Sequence, residues 1–68
     1  MEMNWRVLIE GNNGNETPVA EFVMGEAADW FAQNYIAGDS ETVLNVRRIN
    51  DGASRGRYRE GVRLPLRP

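Results

Sequence analysis

Along this chain the spacing of apolar residues runs at a period of two, then 3.6, then two again. That switch restricts the fold to a sheet with one helix inserted in it. Residues 4–10 (NWRVLIE) alternate Trp5, Val7 and Ile9 against Arg6, Leu8 and Glu10, as a half-buried strand does. The turn formers GNNGNET follow, in which Asn13-Gly14 can supply positive φ for a chain reversal. Residues 17–24 (TPVAEFVM) form a second strand, with Ala20, Phe22 and Met24 on one face and Val19, Glu21 and Val23 on the other. Pro18 lacks an amide donor and places this strand at a sheet edge. Residues 25–37 (GEAADWFAQNYIA) then read as an amphipathic helix. Ala27, Ala28, Phe31, Ala32, Tyr35 and Ile36 lie on one side of it, and Glu26, Asp29 and Gln33 on the other. Gly38 is placed to end it as the C′ residue. Trp30 lies off the apolar arc, so it either folds back over the sheet margin or stands exposed.

Beyond a polar loop over 38–41, residues 42–49 (TVLNVRRI) read as a third strand and Asn50-Asp51-Gly52 as a turn. Residues 55–64 (RGRYREGVRL) read as a ragged fourth strand, because two glycines interrupt their alternation and Pro65 stops any ladder. The expected class is α+β: a four-stranded antiparallel sheet with one helix on one face, ββαββ, in the strand order 2-1-3-4. One domain spans residues 1–64, and 65–68 form a flexible C-terminal tail. The sheet face away from the helix should carry Leu8, Val19 and Val23. Strand three adds either Val43, Asn45, Arg47 and Ile49 or Leu44, Val46 and Arg48. Such an apolar stripe rimmed by arginine is either a homodimer surface or scattered apolar residues of no consequence.

A chain of 68 residues buries a modest fraction of its surface, and many domains of this size add disulfides or a structural metal. This one has neither Cys nor His, so packing must suffice, and no cofactor or metal is expected. The lack of Cys suits a reducing compartment. With no signal-like start and no run of about 18 apolar residues, the expectation is a soluble, unprocessed, cytoplasmic protein. Its net charge of −2 conceals a division. Residues 1–46 hold eight acids against the single base Arg6, whereas residues 47–68 hold seven arginines against Asp51 and Glu60. The helix side should therefore be acidic around Trp30 and the edge of strands three and four basic, with partial mutual neutralisation where the sheet brings the two parts together.

Most polar catalysis needs a group that titrates near neutrality or an activated nucleophile. His, Cys and Lys are all absent, and Ser40 and Ser54 have no imidazole or amine side chain to take their protons. The chain is not expected to be an enzyme. Glu26 with Asp29 is accounted for by the helix dipole, and Asp39 with Glu41 by a solvated loop; neither pair makes a metal site. Gly11 and Gly14 have the spacing of a phosphate-binding loop but join two strands, so they read as a turn. Arg55, Arg57, Tyr58 and Arg59 interleave arginine, an aromatic and glycine as RNA-contacting segments do. Three arginines on one strand face could follow a phosphate backbone, or simply form a solvated edge that neutralises acids elsewhere.

The order of elements, a strand pair over 4–24, an Ala-rich helix over 25–37 and a strand pair from residue 42, resembles that of some small phage-encoded anti-CRISPR proteins. Their length is similar too. The resemblance rests on element order and size, with no motif to carry over. It implies an inhibitor that works without catalysis by docking on a larger protein or ribonucleoprotein complex. The leading functional expectation is accordingly a non-catalytic protein-binding module of phage or prophage type. Its partner-binding residues would be Glu26, Asp29, Trp30 and Gln33 on the helix, or the arginine rim at Arg47 and Arg48. The alternatives are a nucleic-acid-binding accessory protein using Arg55, Arg57, Tyr58 and Arg59, and a homodimeric structural or assembly protein.

Overall fold

The computed structural model describes residues 2–35 and 40–66. Its elements are β1 (Trp5–Glu10), β2 (Glu16–Phe22), α1 (Gly25–Asn34), β3 (Val43–Arg48), β4 (Ser54–Arg59) and β5 (Val62–Arg63). They form one antiparallel sheet in the order β2-β1-β3-β4-β5 with the helix on one face. The expected order of the first four strands holds. The strand count does not: the segment expected as one ragged strand is a hairpin, and the sheet has five strands. Glu60 and Gly61 both adopt positive φ, 51° and 78°, which is the signature of a tight primed turn. Gly meets that demand freely and Glu does not, so the sequence lacks the usual Asn-Gly or Asp-Gly marker here.

The first hairpin closes differently. Gly11 N–H donates to the Asn15 carbonyl at 2.6 Å, Gly14 N–H to the Gly11 carbonyl at 3.1 Å, and Asn15 N–H to Asn13 Oδ1 at 3.2 Å. Gly14 alone supplies the left-handed residue of this loop, at φ 84°.

The core follows from the alternation in β1 and β3. Val7 is opposite Val46, which in turn is opposite Gly56; Ile9, Leu44 and Tyr58 form the next row. Val7, Leu44, Val46 and Tyr58 are buried, together with Ala28 and Ala32 of the helix. These alanines are one helical turn apart and let α1 approach the sheet closely. Phe22, Phe31 and Tyr35 extend the packing towards β2, with ring centroids 5.4 and 5.5 Å apart.

Gly56 and Tyr58 solve a packing problem together. Two residues apart on one strand, they share a face, and the Tyr58 ring lies where a Cβ on Gly56 would stand, 2.7 Å from its Cε2. The ring fills the space that the missing side chain leaves, and Tyr58 is 1% exposed.

The helix begins with Ala28 N–H donating to the Met24 carbonyl at 3.2 Å. It ends at Asn34, shorter than the expected stretch to residue 37, and Tyr35 has already turned to extended backbone. Asn34 Nδ2 donates to the Trp30 carbonyl at 2.8 Å, a side-chain bond of the kind that competes with continued helix. The expectations for Ile36, Ala37, Gly38, Asp39 and the last two residues of the chain fall outside the described residues. Ala27, expected on the apolar side, is exposed. No helix among the described residues is long and apolar enough to cross a membrane.

Candidate protein-docking surface

At about 100° per residue, the direction opposite the midpoint of Ala28 and Ala32 falls on Trp30. The indole therefore points straight away from the sheet, 66% exposed, which decides between the two positions the sequence left open. Glu26 and Gln33 flank it on the β4 side, and Ala27 and Asn34 on the other; all four are exposed. Met24, also exposed, stands just ahead of the first turn. The outer ridge of α1 thus carries a large aromatic with a polar surround.

Asp29 does not belong to that ridge. It lies on the flank of the helix and accepts a hydrogen bond from Arg55 Nε at 2.7 Å. Arg55 in turn stacks on Trp5, 5.2 Å from the ring centroid, while Arg48 stacks on the same indole at 5.4 Å. Gly25 makes room for this: a Cβ there would meet the Arg55 guanidinium at 2.8 Å. Arg55 reaches the helix side because the β3–β4 register shifts between Val46 and Arg47, making Arg55 the extra residue of a bulge. The expectation of Arg55, Arg57 and Arg59 side by side on one strand face is corrected accordingly.

Leu8 and Val43 lie half-buried on the far face of the sheet as expected, but paired charges surround them and interrupt the apolar stripe. Strand three presents Asn45 and Arg47 there, because Leu44 and Val46 are in the core. Arg57 holds Glu10 through two bonds, Nε to Oε1 at 2.8 Å and Nη2 to Oε2 at 3.1 Å. Asn45, 0% exposed, donates from Nδ2 to the same Glu10 Oε1 at 2.6 Å. Arg47 spans the face to Glu16 at 2.9 Å and donates from Nη1 to the Gly52 carbonyl at 3.0 Å. Arg6 pairs with Glu21 at 2.7 Å. The hydrogen bonding of Arg57 to Glu10, which accepts it and carries the opposite charge, raises the Arg57 pKa above the ordinary arginine value against the smaller opposing effect of burial. Leu64 N–H donates to the Arg57 carbonyl at 2.6 Å, and the Pro65 carbonyl accepts from Arg57 Nη1 at 3.4 Å.

The remaining candidates separate as follows. Arg48, besides Trp5, pairs with Asp51 at 3.2 Å. Tyr58 is in the core and offers no ring face to a base; its hydroxyl accepts from Arg63 Nη1 at 3.2 Å. Arg59 is exposed. A cleft of about 720 Å³ opens beside Trp5 and is lined by Arg6 and Arg48 as well as by Glu2 and Glu21, so its lining selects neither sign of charge. Among the described residues, no group of three or more acids converges on a point that could hold a metal ion. Glu26, Trp30 and Gln33 are thus brought together, while Asp29, Arg47, Arg48, Arg55 and Arg57 serve internal contacts. Sequence reasoning missed the Arg48–Trp5–Arg55 stack, whose only advance signal was an aromatic at the start of β1. No protein family, curated protein or solved structure matches the chain.

Proposed function

We propose that this protein is a non-catalytic binding module that docks on a larger protein through the outer ridge of α1. Trp30 is its anchor, with Glu26 and Gln33 as the polar rim. The observation that carries this reading is the position of Trp30: an indole turned directly away from the core, on a helix whose packing is complete without it. Large aromatics in such positions supply much of the energy of protein interfaces. The size and element order favour an inhibitor of a larger complex, as in the small phage proteins the chain resembles. Asp29 contributes indirectly, by fixing the flank of the helix to Arg55.

The arginine-rich segment favours nucleic acid less, since Arg47, Arg48, Arg55 and Arg57 each already hold a carboxylate. Affinity recovery from host lysate with the parent chain and with Trp30→Ala tests the proposal. The expected result is loss of the partner, at a cost of about 2 kcal/mol or roughly thirtyfold in Kd, with folding unchanged. Equal recovery by a folded Trp30→Ala variant removes Trp30 from the surface. A mobility shift of nucleic acid that weakens steeply with salt would favour the arginine segment instead.

A further inference from the structure

We infer that Asn13 is a site of spontaneous deamidation in the folded protein, so that the chain generates a second, more acidic form of itself. Of its seven asparagines, Asn13 alone precedes a glycine. Both residues are exposed at the tip of the β1–β2 hairpin, and Gly14 has no side chain to shield its amide nitrogen from the neighbouring carboxamide. The side-chain carbonyl is also polarised. Asn15 N–H donates to Asn13 Oδ1 at 3.2 Å, so the oxygen on which negative charge develops is already held by a backbone donor. The opposing feature is the bond from Gly14 N–H to the Gly11 carbonyl, 3.1 Å long. It lies in an exposed turn, where local opening costs far less than unfolding.

The chemistry needs only water. The Gly14 nitrogen, having lost its proton to hydroxide, attacks Cγ of Asn13. The Cγ–Nδ2 bond breaks and the nitrogen leaves as ammonia after taking a proton from water, giving a five-membered succinimide. Water then adds to one of the two imide carbonyls. Opening at Cγ leaves an aspartyl residue at that position, and opening at the main-chain carbonyl leaves an isoaspartyl one. Either product adds one carboxylate to a loop bounded by Glu10 and Glu16, both of which hold arginines across the sheet. The isoaspartyl product also inserts a carbon into the backbone inside the ring that the Gly11–Asn15 bond closes.

The test is incubation of the intact chain at mildly alkaline pH, followed by isoelectric focusing, peptide mapping and an isoaspartyl assay. The expected result is one acidic species that accumulates in proportion to hydroxide, with the change mapped to Asn13 as a mixture of aspartyl and isoaspartyl forms. Asn13→Gln, which retains an exposed carboxamide but would have to close a larger ring, should lose that species while the hairpin still folds. Gly14→Ala is the poorer control because of the positive φ at Gly14. No acidic species, a change mapped to another asparagine, or conversion only when the chain is unfolded in urea would each overturn the assignment.

Discussion

The guanidinium of Arg57 and the carboxylate of Glu10 meet as two forks across β3, joined by bonds of 2.8 and 3.1 Å. The pair lies on the sheet face opposite the helix, with 22% and 10% of the two side chains exposed. Removing the arginine leaves a carboxylate in a place water reaches poorly. Arg57→Ala should therefore destabilise the fold by about 2 kcal/mol, read as a lower urea midpoint with an unchanged slope. Because the pair raises the Arg57 pKa, its contribution on the arginine side is complete below the ordinary arginine value and is lost only as pH climbs through the raised one. Between pH values of about 7 and 9 the cost of Arg57→Ala should accordingly stay constant.

The Tyr58 ring occupies the space beside Gly56, so adding a single methyl group there forces the ring from its place. Gly56→Ala should cost about 1 to 3 kcal/mol, against the usual expectation that alanine favours a strand over glycine. Near-ultraviolet circular dichroism should report the displaced tyrosine, and a variant as stable as the parent would show that the ring is not confined there.

Glu60 is the one described residue other than glycine at positive φ. Glu60→Asn should stabilise the β4–β5 turn by roughly 0.5 to 1 kcal/mol, measurable as a rise in Tm. Glu60→Val, β-branched at the same φ, should lower it.

Trp30→Ala should leave stability within about 0.5 kcal/mol of the parent, because the indole is turned to solvent. A larger loss in thermal unfolding would place the ring in the structure of the domain and not on a surface kept for a partner.

Much of the sheet was legible because Trp5, Val7 and Ile9 alternate cleanly and Asn13-Gly14 announces its turn. The apolar arc through Ala28, Phe31, Ala32 and Tyr35 likewise announced a helix on one face of the sheet. Three features were hidden, each for a different physical reason. The β4–β5 turn uses Glu60 where the usual residue is Asn or Asp, so its backbone conformation has no marker in the sequence. The bulge that turns Arg55 towards Asp29 depends on pairing with β3, which no local pattern records. The far face looked apolar because Leu8, Val19 and Val23 stood out in a one-dimensional reading, whereas the Glu10–Arg57 pair joins residues 47 positions apart. Trp30 was the legible part of the candidate site, since one aromatic off a helical pattern is visible without a structure. The withdrawal of Asp29 from that site was not.

The charge pairs on the far face also discriminate between alignments of the chain. A slip of β4 by one residue against β3 would turn Arg57 to the helix side and bring Gly56 or Tyr58 opposite Asn45 in its place, leaving Glu10 without its bidentate partner. The acids of the early strands and the arginines of the late ones therefore act as a template and its reader. Glu10 meets Arg57 only when β4 arrives in the correct phase, so the uneven distribution of charge along the sequence becomes a means of rejecting misaligned sheets.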